Sequence, residues 1–259
     1  LVSVASILSF LKILPYNGLD ILLEAVYLVI ICWLANKVFS RLFKVKTNLE
    51  STYITALILT LIMGPNSPLD NYLPLAVAAV LAMASKYLIA PRKKHIFNPA
   101  GFGALAAGVL MGFGASWWVG SAPMTPFILI GGLLILKKIR RFRMAGTFLF
   151  TFTLIEIVAS LIRGSIPVET LGGSTLLNSP ILFFALVMLP EPLTSPSISR
   201  LQIIYAVLVA TSIHLVGQSI ITLNLPPAFF YTFELGLLFG NVFSYMVSPV
   251  SSQVLKLKE

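Results

Sequence analysis

The chain has 259 residues, of which 58% are hydrophobic and 10% are charged, and its formal net charge is +9. A soluble domain carries about 25% charged residues, so this composition excludes an ordinary soluble enzyme and indicates a polytopic membrane protein. The net positive charge does not indicate nucleic acid as a partner, because the cations lie in short loops between apolar runs. A single cysteine, Cys32, cannot form an intrachain disulfide or hold a structural zinc ion by itself, and we expect a buried free thiol.

Ten apolar segments follow one another along the chain, and we predict that all of them enter a lipid bilayer. A full span needs about 20 residues, so the third and the eighth segments are too short, and each ends in a proline-rich turn. We therefore predict that their ends, near Pro65 and Pro190, lie within the apolar layer. The predicted segments are 1–14, 20–42, 52–64, 71–90, 98–114, 122–138, 142–163, 176–190, 199–222 and 228–247.

Lysine and arginine residues determine the predicted orientation. With the N-terminus inside, 16 of the 18 cations fall in inner loops, and Lys12 and Arg163 fall near outer ends. Cytoplasmic loops carry such an excess of cations, so we predict a multi-pass protein of the cell inner (cytoplasmic) membrane with both termini cytoplasmic. Residues 251–259 would form a cytoplasmic tail, in which "QVLKLKE" alternates like a β-strand.

The two halves of the chain share a pattern of interrupted segments. The third and eighth segments end in the turns "MGPNSP" and "LPEPLTSP", and they run in opposite directions in the predicted topology. The fifth segment opens with "FNPAGFG", and the tenth contains "LFGNVFSYM". Such a pattern is typical of inverted repeats with broken helices. We predict an all-α integral membrane fold in one domain, 1–250, with five-segment repeats at about 1–114 and 122–250.

The stretch Asn98-Pro99 predicts the start of a helix inside the apolar layer. Asparagine is a favoured N-cap, and proline is favoured at the first helical position. Backbone freed at membrane depth is tolerated where it faces protein or a cavity, and free N–H groups at a helix start favour an anion. A capped helix that simply follows an interfacial loop is an equally open interpretation.

Glu156 is an ionisable residue within a predicted span, which makes it a candidate functional group. The alternative is a structural carboxylate bonded to a nearby hydroxyl or to Arg163. His214 is expected to be a hydrogen-bonded core histidine, and Trp117 and Trp118 are expected to anchor the outer interface.

Several motifs resemble, in order and spacing, one family of membrane proteins. They are "TLIMGPNSP", "KKHIFNPAGFGAL", "FILIGGLLILKKIRRFRM", "FFALVMLPEPLTSP" and "ELGLLFGNVFSYMVSP". Over residues 52–250 the chain resembles the family of related membrane subunits, lettered D and B respectively, that occur in the Rnf electron-transport complex and in the sodium-translocating NADH:quinone reductase. The resemblance implies a membrane electron-transfer subunit that binds flavin, FMN or riboflavin. It implies as partners a cytosolic flavin/nicotinamide reductase domain or subunit and other electron-transport subunits. A solute or ion transporter with the same architecture, or a scaffold subunit without a cofactor, remains an alternative.

The resemblance also suggests where a flavin would bind. In the family, FMN is joined to a threonine in a motif like D-x-x-S-G-A-T, which is missing from its place here; the nearest match, "ETLGGST", would make Thr175 the acceptor. We therefore expect a non-covalent flavin between the halves, near "FNPAG" and "PEPLTSP". The expected cofactor-binding residues are Asn98, Pro99, Gly101, Glu191, Thr194 and Ser195, with Asn66 and Asn241 as counterparts by the repeat.

Overall fold

The computed structural model describes residues 1–46, 48–65, 68–91, 94–164, 180–223 and 232–247, and its regular elements within these ranges are helices. Of the expected site residues, Asn66 and Thr175 lie outside the described part, as does the tail 251–259. A single 3₁₀ turn, Ala122–Met124, precedes α6, and a π-helix, Phe184–Met188, continues α8. The ten α-helices of the described part are α1 (Val2–Phe10), α2 (Gly18–Leu42), α3 (Leu49–Met63), α4 (Pro68–Leu88), α5 (Pro99–Met111), α6 (Thr125–Ile139), α7 (Phe142–Arg163), α8 (Ile181–Phe183), α9 (Ser199–Leu223) and α10 (Thr232–Val247).

Four helical stretches are long and apolar enough to cross a membrane: Gly18–Leu42, Ala122–Ile139, Phe142–Ile162 and Ser199–Gly217. Large apolar side chains remain on their surfaces; Phe150 is 71% exposed and Ile162 is 81% exposed. A soluble monomer rarely leaves extended apolar surface of this kind uncovered. Length, composition and exposure together indicate a membrane protein.

The remaining apolar helices are shorter, as the sequence predicts for the interrupted segments. Helix α3 has 15 residues, about 22 Å at 1.5 Å per residue, against a hydrocarbon layer of about 30 Å. It ends at Met63, two residues before Pro65, so the expectation of a short third segment is confirmed. The described part of the eighth segment consists of α8 and the π-helix, which ends two residues before Pro190.

The first segment is shorter than expected. The sequence predicts residues 1–14, but α1 ends at Phe10. Lys12 adopts a left-handed backbone conformation with φ of 57°, which cannot continue a right-handed helix. The chain turns there and α2 begins at Gly18, with Asn17 as its N-cap.

The chain divides into two compact units, the first from Leu1 to Trp118 and the second from Val119 to the end of α10. In the first unit, α2 packs against α1, α3 and α4, and α4 packs against α5. In the second unit, α9 packs against α7 and α10, and α6 contacts α8 and the π-helix. Glycines allow the closest approaches, because a Cβ atom on Gly103 or Gly240 would overlap the neighbouring helix.

Candidate functional site

A buried polar cluster in the second unit joins residues from four parts of the chain. Arg141 immediately precedes α7, and the turn after the π-helix supplies three of the members. Tyr205 comes from α9 and Asn241 from α10. We call this group the Arg141 cluster, and its members are Arg141, Glu191, Thr194, Ser195, Tyr205 and Asn241.

Hydrogen bonds connect the arginine to the turn. Arg141 Nη1 donates to Ser195 Oγ, and that hydroxyl donates to the backbone oxygen of Glu191. The Ser195 N–H also donates to the Glu191 backbone oxygen, at 3.1 Å. Thr194 Oγ1 donates to the Glu191 carboxylate at 2.9 Å. The turn is thereby folded back on itself, with the guanidinium held against it.

Two residues from the following helices hold the other side of the turn. Asn241 Nδ2 donates to the backbone oxygen of Thr194 at 3.3 Å and to the hydroxyl of Tyr205 at 3.1 Å. Asn241 and Tyr205 are fully buried. The turn is therefore fixed to α9 and α10 by side chains that water does not reach.

The cluster contains a buried cation and a carboxylate that is still accessible. Arg141 is only 6% exposed, whereas Glu191 is half-buried and Pro192 beside it is exposed. Burial lowers the pKa of Arg141, and the nearby Tyr205 and Glu191 act in the opposite direction. Arginine stays protonated in proteins, so the cluster offers a ligand a guanidinium charge, hydroxyl groups and a carboxylate near one surface of the unit.

The structure brings four of the expected site residues together: Glu191, Thr194, Ser195 and Asn241. Arg141 and Tyr205 were not anticipated. Arg141 is one of five cations between 137 and 143, which the positive-inside rule already explains, and Tyr205 is one aromatic residue in an apolar helix. Neither residue carries a signal in the sequence that would set it apart.

The remaining described site residues lie in the first unit, at the start of α5. Asn98 is its N-cap, as predicted, and its side chain accepts a hydrogen bond from the Gly101 N–H at 3.0 Å. Asn98 and Pro99 are buried. The expectation of free N–H groups for an anion is wrong for Gly101, because Asn98 occupies that donor, and Pro99 has no N–H to offer.

A second polar group lies near the start of α3. Lys86 of α4 is buried, and its ammonium donates to the backbone oxygen of Ser51, to the Ser51 hydroxyl and to the Thr55 hydroxyl, each at 3.1 Å. His95, in the loop before α5, is also buried. Burial, together with the charges of Lys86 and Lys94, lowers the pKa of His95 to about 4.

Glu156 has a partner that the sequence did not predict. His214 Nδ1 lies 3.1 Å from Glu156 Oε1, and His214 Nε2 lies 3.3 Å from the backbone oxygen of Phe152. The predicted partner was a hydroxyl or Arg163, whose side chain lies outside the described part. The expectation of a hydrogen-bonded core histidine at His214 is confirmed. Among the described residues, no group of three or more His, Cys, Asp or Glu side chains could hold a metal ion.

Trp117 and Trp118 do not project from the first unit as interfacial anchors. Both are buried, and Trp118 Nε1 donates to the backbone oxygen of Thr60 at 2.8 Å. The N–H groups of Ser116 and Trp117 both donate to the backbone oxygen of Ile62, at 2.7 and 2.8 Å. The pair therefore caps the carbonyl end of α3, which corrects the sequence-based interpretation.

No protein-family model and no curated protein matches the chain. Its class thus follows from the helices alone: an all-helical chain over the described residues, with four helices of membrane length.

Proposed function

We propose that this chain is a membrane-integral electron-transfer subunit or domain that binds a flavin, FMN or riboflavin, without a covalent link. The observation that carries the proposal is the Arg141 cluster, a buried cation held against a polar turn that follows an interrupted helix. The resemblance to the Rnf and sodium-translocating reductase subunits supplies the cofactor class, and the cluster supplies groups that suit it.

The chemistry of the cluster fits a flavin at two points. The isoalloxazine ring carries carbonyl oxygens and an N–H group along one edge, and a protein tunes the ring through hydrogen bonds there. Arg141 can donate to those oxygens or to the phosphate of FMN, since a guanidinium matches planar and phosphate acceptors. The half-buried carboxylate of Glu191 can accept from the ring N–H.

The proposal includes ten membrane segments in two inverted repeats, with both termini cytoplasmic in the inner membrane. The contacts within each unit support this placement. Lys86 and Ser51 meet at the predicted inner side, and Trp118 and Thr60 meet at the predicted outer side. Within the units the packing order is also alike, because the second helix of each five packs on the fourth, and the fourth on the fifth.

A cytosolic flavin/nicotinamide reductase domain or subunit is the proposed electron donor or acceptor, alongside other electron-transport subunits in the membrane. Lys137, Lys138, Arg140 and Arg143 are exposed beside the Arg141 cluster. Exposed cations near a redox site steer an acidic partner toward it.

A cofactor-free scaffold subunit is the second candidate. The observation that favours it is that Arg141, Ser195, Thr194 and Asn241 make hydrogen bonds to one another or to the local backbone. Such a network stabilises a turn without any ligand. A solute or ion transporter of similar architecture stays a further alternative, and it too predicts a colourless protein.

The experiment is the visible absorbance of the purified protein, followed by acid denaturation. We expect a flavin spectrum, and free flavin in the supernatant after precipitation. The Arg141→Gln variant should lose flavin, whereas the matched control Arg143→Gln, which changes an exposed cation two residues away, should keep it. A colourless wild-type protein would overturn the proposal, and flavin that stays on the precipitated chain would show covalent attachment instead.

A further inference from the structure

Glu24 of α2 is completely buried, with 0% of its surface exposed. Neither of its carboxylate oxygens has a hydrogen-bond partner among the described residues. Glu156 and Glu50 differ from it, since Glu156 pairs with His214 and Glu50 is exposed at the start of α3. Glu24 is thus a titratable group inside the unit that the proposed flavin site does not use.

An ionised carboxylate in this position is energetically expensive. Burying a charge without a partner costs far more than burying a neutral polar group, and the group then neutralises itself. The buried ammonium of Lys86 does not neutralise it, because Lys86 is bound near the opposite end of α2. That end is marked by Asn36, which accepts a hydrogen bond from Tyr87 and lies 12 residues, about 18 Å, further along α2.

The surroundings of Glu24 are mainly apolar or neutral. Helix α1 carries only apolar and serine side chains. Tyr27, one turn further along α2, donates its hydroxyl to the backbone oxygen of Tyr72 and so is engaged elsewhere. The titratable residues of α2 and of the two other helices packed on it are Asp20, Tyr27, Cys32, Lys37 and Arg41 on α2, Glu50 and Tyr53 on α3, and Asp70, Tyr72, Lys86 and Tyr87 on α4, where the side chain of Asp70 lies outside the described part.

We propose that Glu24 is a proton-binding site within the membrane domain. One carboxylate oxygen takes a proton from water, an O–H bond forms, and the negative charge is removed without any electron transfer. The proton is held there as long as α2 stays packed on its neighbours, and it can leave when the site opens to water or when a cation replaces it. This proposal does not depend on flavin binding.

Infrared spectroscopy of the purified protein at neutral pH tests the assignment. A protonated carboxylic acid in apolar surroundings has a carbonyl stretching band that a carboxylate lacks. We expect this band in the wild type, its loss in Glu24→Gln, and its retention in the control Glu50→Gln, which changes an exposed acid. A band that is absent from the wild type, or unchanged in Glu24→Gln, would overturn the proposal; a band that appears only after sodium is removed would show a bound cation instead.

A second measurement covers the case in which Glu24→Gln does not fold. A lipid-soluble carbodiimide reacts with protonated carboxyl groups in apolar surroundings, and peptide mass spectrometry of the treated wild type locates the adduct. The adduct should lie on Glu24 and not on Glu50, and an unmodified Glu24 beside another modified intramembrane acid would count against the assignment. Where Glu24→Gln does fold, its melting temperature should stay within about 2 °C of the wild type, because one neutral polar side chain replaces another.

Discussion

The buried imidazole of His95 makes the stability of the chain depend on pH in a defined window. Its side chain is only 7% exposed, and its Nε2 atom has no hydrogen-bond partner among the described residues. Burial first, and then the charges of Lys86 and Lys94, lower its pKa from 6.5 to about 4. The native state therefore disfavours the imidazolium form.

The sign follows from the number of protons bound. Between pH 4 and pH 6.5 the unfolded chain carries more of the His95 proton than the folded chain does, so stability rises with pH in this window. The contribution is present above pH 6.5 and is lost as the pH falls toward 4. A shift of this size corresponds to about 3 kcal/mol in total, of which about 2 kcal/mol is lost between pH 7 and pH 5. For a chain of this size that is roughly 4–8 °C in melting temperature.

Thermal unfolding in detergent at pH 7 and at pH 5 measures this contribution. The wild type should lose more stability than His95→Gln, by the difference just given, because glutamine does not titrate. The His214→Gln control keeps His95 and should retain the additional loss. Equal losses in the wild type and in His95→Gln would refute the reasoning.

Three further substitutions test the contacts that shape the first unit. Asn98→Leu removes the N-cap of α5 and should cost about 1 kcal/mol, seen as a lower melting temperature; Asn98→Asp keeps the acceptor and should cost less. Trp118→Phe keeps an aromatic ring but leaves the carbonyl of Thr60 without its indole donor, and thermal unfolding should show a loss of about 1–3 kcal/mol. Gly103→Ala places a methyl group against the backbone of α4 and should cost about 1–3 kcal/mol, whereas Gly131→Ala, which meets open space, should not destabilise the protein. Equal melting temperatures for the two alanine variants would contradict the packing described for α4 and α5.

Features set by neighbouring residues were predictable from the sequence. The N-cap at Asn98 follows from the preference of asparagine and proline for the first positions of a helix, and the structure has it. The short third segment follows from the distance between an inner loop and a proline-rich turn. Here the determining residues lie within a few positions of one another.

Contacts between distant residues were not predictable. Arg141 and Ser195 are 54 positions apart, and Trp118 and Thr60 are 58 positions apart. Each member has an ordinary local explanation, as a loop cation or as an interfacial aromatic residue. A single sequence contains no information on which loop meets which, so the Arg141 cluster emerged only from the folded chain.

The cap on α3 has a consequence for how the protein is made. The Ile62 carbonyl receives its donors from Ser116 and Trp117, which are synthesised 54 and 55 positions later. At about 5–20 residues per second, a ribosome needs roughly 3–11 seconds to supply them. In the proposed topology α3 cannot pass alone into lipid during that interval, because unsatisfied carbonyl groups are expelled from hydrocarbon. Helices α3, α4 and α5 must therefore leave the insertion machinery together, as one preassembled group.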